Sequence, residues 1–286
     1  MVRASTAAFK HALFPHENGR KGPESGPSCG NLRLALPSRG SIVLSLRNAY
    51  EALAVSAPTV VDAARGRLTA KDCDARLERF ASHVMRNAEI SVTVRGREVL
   101  EDDEKTAGKR RTFVVMSNHQ SHYDIPVLYY VLGGNMRMVA KTELFSLPLF
   151  GRAIRDAGMI EVDRANRERA IASLSKAKEQ LLGGTNIWIA PEGTRSTTGE
   201  LGDFKKGGFV IAIDMDAPIL PITITGTRGI LPSGTAFSKR GEQVHVTIHA
   251  PIETHDFMAD ATTAEAKKAA RTALMAAVRQ SIASAL

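Results

Sequence analysis

Cysteine is nearly absent from this chain of 286 residues. Cys29 and Cys73 are the two present, and neither belongs to a CxxC or a Cys/His ligand pattern. That usage excludes a disulfide framework and a cysteine-based zinc site, and it fits a reducing compartment. Aromatic residues make up only 5%. A nucleic-acid binder would show a basic stripe with interleaved aromatics, so that class is disfavoured. No apolar run approaches the ~18 residues of a membrane span. Ile42 to Val61 comes nearest and is broken by Arg47 and Glu51. The N-terminus lacks the continuous apolar core of a secretion signal, so export is not expected. No G-x-S-x-G elbow follows a buried apolar run, the match Gly26–Gly30 lying in the Gly/Pro-rich N-terminal stretch, which weakens a serine-hydrolase reading; the absence of G-x-x-x-x-G-K-[ST] rules out a P-loop.

What is present describes a globular chain. Hydrophobic residues reach 43% and charged residues 24%, ordinary values for an α/β protein. The formal net charge is +8 and the pI about 9.7. Such a surface suits an anionic membrane, a phosphorylated substrate or nucleic acid, and charge alone does not choose among them. The basic residues are dispersed except at Lys109–Arg111.

Residues 1–40 are rich in Gly, Pro, Ser and basic residues and are expected to be mobile. Residues 41–88 read as a pair of helices, 41–66 and 70–88, with Pro58 expected to kink or break the first and Gly66 to stop it. The stripe Ile42, Val43, Leu44, Leu46, Tyr50, Leu53 and Val55 is open to three readings, core, a membrane-facing surface or both, of which core is preferred; the pair is also a candidate membrane-docking element. Residues 89–286 then alternate short apolar runs with helical segments. Glu101–Arg111 reads as a charged loop. The C-terminal segment opens with Thr262 three residues before Glu265, a capping-box spacing, and continues as an Ala-rich helix. The alternation predicts a layered α/β domain, with a mostly parallel or mixed sheet flanked by helices and preceded by the helical pair. Such sheets carry their chemistry in loops at the carboxyl ends of strands.

Two loops stand out. The first, Ser117-Asn118-His119-Gln120-Ser121-His122-Tyr123-Asp124, follows the buried run Thr112–Met116. A turn there can bring Asp124 to one imidazole nitrogen of His119 and leave the other to take a proton. No serine or cysteine nucleophile is required if the substrate brings its own hydroxyl. The second, Pro191-Glu192-Gly193-Thr194-Arg195-Ser196, follows the buried run Ile187–Ala190. Gly193 permits close approach of backbone to a ligand, and Arg195 offers a planar fork of donors suited to phosphate.

Together these blocks resemble the glycerophospholipid acyltransferases, and within them the 1-acylglycerol-3-phosphate acyltransferases. Asn118-His119 through Asp124 matches NHxxxxD, and Pro191 through Arg195 matches PEGTR. Gly158 through Arg164 resembles GxxFIDR, with Glu161 at a position usually apolar. Pro218-Ile219-Leu220-Pro221 resembles the family's proline-bearing strand, and Lys141-Thr142-Glu143-Leu144 a segment of its bacterial members. The likeness covers roughly residues 85–255.

The resemblance implies His119 as general base on a lysophospholipid hydroxyl and Asp124 as its orienting carboxylate. It implies a phosphate site from Arg164, Glu192, Gly193, Thr194, Arg195 and Lys141, with Glu192 organising that site, and Asn118 supporting the loop. Backbone amides near the first loop are the expected oxyanion donors. No metal and no consumed cofactor are expected. The donor would be acyl-CoA or acyl-acyl carrier protein, and the product phosphatidic acid. Other acceptors remain open: glycerol 3-phosphate, another lysophospholipid or a lyso-aminolipid. A non-catalytic basic lipid- or nucleic-acid-binding module is the remote alternative. A peripheral place on the cytoplasmic face of a membrane is expected, with no nucleic-acid partner. His122, His245 and His249 are read as packing residues, Trp188 as core, and Lys205 and Lys206 as solvated or membrane-facing charges.

Overall fold

A computed structural model describes residues 39–108, 111–162 and 167–286. The expectation of mobility in the N-terminal 40 residues falls almost wholly on 1–38, outside that range. Two helices come first, α1 (Arg39–Ala64) and α2 (Ala70–Asn87). Pro58 lies inside α1 and does not end it. The Ser56 and Thr59 hydroxyls each donate to the carbonyl four residues back, Ala52 and Val55, at 2.7 Å. Packing against α2 and a later helix supplies what the missing proline N–H removes.

The sheet has seven strands: β1 (Ser91–Arg95), β2 (Val114–Ser117), β3 (Met136–Lys141), β4 (Ile160–Val162), β5 (Asn186–Ile189), β6 (Ile219–Thr225) and β7 (Gln243–Ile248). Their order is β1-β7-β6-β2-β5-β3-β4. Strands β2 to β6 run parallel to one another, and β7 is antiparallel to β6. β1 is parallel to β7, so the sheet is mixed, as expected. β2, β5 and most of β6 are buried at every position, which is why they read as unbroken apolar runs rather than alternating ones. Pro221 lies between the Ile219↔Ile252 bridge and the ladder that begins at Ile222↔Ile248, and there it only has to accept, its carbonyl taking the His249 amide at 3.0 Å.

The remaining helices are α3 (Arg97–Ala107), α4 (Asp124–Leu132), α5 (Thr142–Phe145), α6 (Phe150–Asp156), α7 (Arg167–Leu182), α8 (Gly207–Asp214), α9 (Thr227–Ile230), α10 (His255–Met258) and α11 (Ala264–Ala283). Side chains alternate across the sheet. Val115 and Trp188 face one core with α1, α2, α4 and α6, while Val114, Met116, Ile187 and Ile189 face another with α7, α8 and α11. The result is the expected three-layer α/β arrangement.

Two local expectations are corrected. Glu101–Arg111 is not a charged loop: α3 covers most of it. Glu101, Asp102, Glu104 and Lys105 face water, with Lys105 paired to Asp102 at 3.2 Å, while Leu100 packs against the core. The N-cap of α11 is Thr263, not Thr262, because its side chain accepts the Ala266 amide at 3.1 Å.

Candidate active site at the carboxyl edge of the sheet

The loops after β2, β5 and β6 leave the same edge of the parallel block, so residues far apart in sequence converge there. Asn118 anchors the first loop to β6. Its Nδ2 donates to the Ile224 carbonyl and its Oδ1 accepts the Ile224 amide, both at 2.8 Å. His119 follows, held over the sheet end. Its Nδ1 lies 2.7 Å from Asp124 Oδ2. An ionised carboxylate can only accept, so Nδ1 carries the proton and Nε2 keeps a lone pair. The ring is edge-on to buried Trp188, with centroids 5.6 Å apart and an interplanar angle of 85°. Trp188 in turn donates to Ser117 Oγ at 3.0 Å, which fixes that wall.

Asp124 is wholly buried. Oδ2 also accepts the amides of Gln120 at 2.7 Å and Ser121 at 2.9 Å. Oδ1 accepts the Thr227 hydroxyl at 2.5 Å. These donors replace the water that the wholly buried carboxylate has lost. His119 has 15% of its side chain exposed, enough for a substrate hydroxyl to approach Nε2.

The second loop clasps the first. Glu192 is buried, and its Oε1 accepts the His119 amide at 2.9 Å while Oε2 accepts the Gly202 amide at 2.8 Å. Ser196 N–H donates to the His119 carbonyl at 2.8 Å. Gln120 Nε2 reaches the Gly199 carbonyl at 3.2 Å. Gly193 turns the chain at φ 74°, a conformation that disfavours other residues. Both Glu192 oxygens are thus taken by amides, and an acid offers no donor to a phosphate. Its place is between the loops, not on an anion.

Arg195 is half-buried with Nη1 inside the protein, and Thr194 is exposed. Lys141 lies exposed at the carboxyl end of β3, on the same sheet edge. Arg164 lies outside the described residues. The amides of His119, Gln120, Ser121, Tyr123 and Asp124 are all engaged, the last two by Ser121. These five amides already have acceptors within the protein. Thr227 was not foreseen: it lies 103 residues beyond Asp124, and no local pattern marks it. Among the described residues no His/Cys/Asp/Glu group has the geometry to hold a metal ion.

Beside the loop opens a cavity of about 450 Å³, within the range of small-molecule pockets. It starts at His122 and Tyr123 and runs between α1, α2, α4 and α6. At the near end Asn48 Nδ2 donates to Tyr123 OH at 2.7 Å. Burial pushes the Tyr123 phenol up, partly offset by its hydrogen bonds with Ser238 and Asn48. At the far end Arg76 bonds Thr59 Oγ1 at 3.1 Å and pairs with Asp62, and buried Cys73 lines the wall. The α1 path from Asn48 to Thr59 spans about 16 Å at the helical rise. The lining between is mainly apolar, which suits an alkyl chain. His122 is therefore a cavity residue rather than a surface one.

Residues 91–225 match the family model described as acyltransferase. The chain is 37% identical over 154 residues to the chloroplast 1-acyl-sn-glycerol-3-phosphate acyltransferase of Arabidopsis thaliana, covering 54% of this chain and 42% of that one. It is 29% identical over 253 residues to a 1-acyl-sn-glycerol-3-phosphate acyltransferase of Chlamydomonas reinhardtii, covering 87% of this chain and 73% of that one. The chain thus spans less than half the length of the plant relative. Its fold is similar to the crystal structure of the 1-acyl-sn-glycerophosphate acyltransferase of Thermotoga maritima. The TM-score is 0.62 at 27% identity, over 84% of this chain and 95% of that one.

Proposed function

We propose that this chain is an acyltransferase that moves a fatty-acyl group from an acyl thioester to the free hydroxyl of 1-acylglycerol 3-phosphate, giving phosphatidic acid; the match of residues 91–225 to the acyltransferase model supports this reading. The observation that carries the reading is the His119–Asp124 pair at 2.7 Å, beside a deep apolar cavity and, among the described residues, with no serine, threonine or cysteine hydrogen-bonded to the ring. A base without a nucleophile of its own suits direct attack by a substrate hydroxyl.

In the proposed step His119 Nε2 removes the acceptor's hydroxyl proton as that oxygen attacks the thioester carbonyl carbon. The C–S bond then breaks, and the leaving thiolate takes the proton from the imidazolium. Asp124 stabilises the imidazolium without becoming protonated, as the acid of a Ser-His-Asp triad does. Arg195, with Arg164, Lys141, Thr194 and the Gly193 turn, holds the acceptor phosphate. The acyl chain enters the cavity. Acyl-CoA and acyl-acyl carrier protein are both suitable donors, and no cofactor is consumed.

Among the described residues no helix is long and apolar enough to cross a membrane. The α1 side chains Val43, Leu46 and Tyr50 are more than half exposed. We place this helical pair against the cytoplasmic face of a membrane as a peripheral docking element, with residues 89–286 as the acyltransferase domain.

The test is transfer from labelled acyl-CoA, and in parallel from acyl-acyl carrier protein, to lysophosphatidic acid by the wild type and a folded His119→Ala variant. Labelled phosphatidic acid from the wild type, reduced ~10² or more in the variant, is the expected result. Transfer only to glycerol 3-phosphate or to a lyso-aminolipid would overturn the acceptor assignment. Equal rates in both proteins would overturn the mechanism.

A further inference from the structure

Asp124 divides its partners unevenly. Oδ2 takes His119 Nδ1 and two backbone amides, while Oδ1 lies 2.5 Å from Thr227 Oγ1. Both side chains are wholly buried. Because the ionised carboxylate can only accept, the threonine hydroxyl donates. The turn that delivers Thr227 is built for close approach. Gly226 has φ 93°, and a Cβ there would lie 2.0 Å from the Gln243 carbonyl oxygen. The chain can therefore bend tightly against β7 and set Thr227 at the first position of α9, directly behind the carboxylate.

We propose that Thr227 is a positioning residue for the His119–Asp124 pair. Its hydroxyl fixes the rotation of the carboxylate by holding the oxygen that His119 does not use. The ring is thereby aimed, since a carboxylate free to rotate would carry the imidazole with it. The same hydrogen bond draws electron density from the carboxylate and so moderates its pull on the Nδ1 proton. Without the hydroxyl, a wholly buried oxygen loses its donor, and the carboxylate leans more heavily on the ring. The kinetic consequence rests on the acyl-transfer reading, whereas the geometric one does not.

The experiment compares Thr227→Val, which keeps the shape and removes the hydroxyl, with Thr227→Ser, which keeps the hydroxyl. Thr227→Ala replaces the valine variant if that protein does not fold. The hydroxyl-less variant should lose about tenfold or more in kcat, a loss on the scale of one hydrogen bond to a charged group. KM for both substrates should stay within about twofold, and Thr227→Ser should be near wild type. A second readout needs no substrate: the low-field NMR resonance of the proton between His119 and Asp124. It should move further downfield in the hydroxyl-less variant and stay in place in Thr227→Ser. An unmoved resonance with wild-type kcat overturns the proposal, and so does a serine variant as impaired as the valine one. If the wild type transfers no acyl group, the proposed function fails, and the resonance alone still decides the role of Thr227.

Discussion

Glu192 holds His119 by its backbone: Oε1 accepts the His119 amide at 2.9 Å, while Oε2 accepts the Gly202 amide at 2.8 Å. One buried carboxylate thus ties the base-bearing loop to the two ends of the loop that follows β5. Removing it leaves two amides without acceptors in a site where such loss costs about 1–3 kcal/mol each. Glu192→Ala should therefore lower kcat by ~10² while KM for the acceptor changes only a few-fold. A raised KM with kcat intact would mean that Glu192 faces the substrate after all.

Arg195 should behave in the opposite way. A guanidinium that holds the acceptor phosphate before and during reaction contributes uniform binding. Arg195→Ala should raise the acceptor KM by about tenfold or more, on the scale of a lost charged hydrogen bond. Arg195→Lys should restore little of it, because an ammonium lacks the planar fork. Steady-state kinetics against lysophosphatidic acid checks both, and full rescue by lysine would reduce the role to simple charge.

Cys73 lines the far part of the cavity and is buried. Cys73→Trp should shorten the chain the cavity accepts. The ratio of kcat/KM for palmitoyl over decanoyl donor should fall by roughly tenfold or more, in line with a few methylenes losing their pocket. The comparison is made within one variant, so any general loss of activity cancels. An unchanged ratio would place the acyl chain elsewhere. Burial also pushes the Cys73 thiol up, so thiol reagents should label it slowly in a Cys29→Ser background, and more slowly still with acyl-CoA bound.

His249 gives a pH dependence unconnected with activity. Its Nε2 lies 2.8 Å from Thr223 Oγ1, whose own proton goes to the Ile282 carbonyl at 2.7 Å. The ring therefore donates from Nε2, and burial favours its neutral form, holding it below its ordinary value of 6.5. As pH falls through that value the unfolded chain takes up a proton that the folded chain resists. Stability supplied by the neutral ring is thus present above about pH 6.5 and declines below it. Thermal unfolding at neutral and mildly acid pH should show a smaller acid-induced drop in Tm for His249→Gln than for the wild type. An equal drop would remove His249 from the account.

The exposed apolar face of α1 predicts adsorption to lipid. The wild type should sediment with vesicles containing phosphatidylglycerol at low salt, and Leu46→Glu with Tyr50→Glu should weaken this by about tenfold or more. Those side chains are 61% and 67% exposed, so the changes should leave thermal stability nearly intact. Equal binding by both proteins would move docking to another surface.

Much of the fold was legible because its strongest signals are local. β2, β5 and β6 are apolar runs ended by polar loops, and α4 and α7 each stop at a glycine pair, Gly133-Gly134 and Gly183-Gly184. Where charge was read in place of periodicity, as in Glu101–Arg111, a helix was missed, because a charged surface helix shows few apolar positions, here Leu100 against the core. Of the site, His119 and Asp124 were visible since a five-residue spacing across a strand–helix turn closes on itself. The roles of the other residues were less so. Glu192 reads as part of a phosphate loop in sequence and as a clasp between loops in space.

The sequence by itself determined the layered α/β class and marked the two loops proposed to carry the chemistry, because periodicity and short-range spacing are set by neighbouring residues; the likeness to the acyltransferases was legible in the motifs of those loops. Only the tertiary structure decided that Thr227 backs Asp124, that five amides of the first loop are already engaged, and that α1 walls a cavity beside His122. Each of these depends on strands β2, β5 and β6 ending at one edge and on helices packing across the sheet. Those contacts join residues separated by tens to over a hundred positions, and no local pattern encodes them.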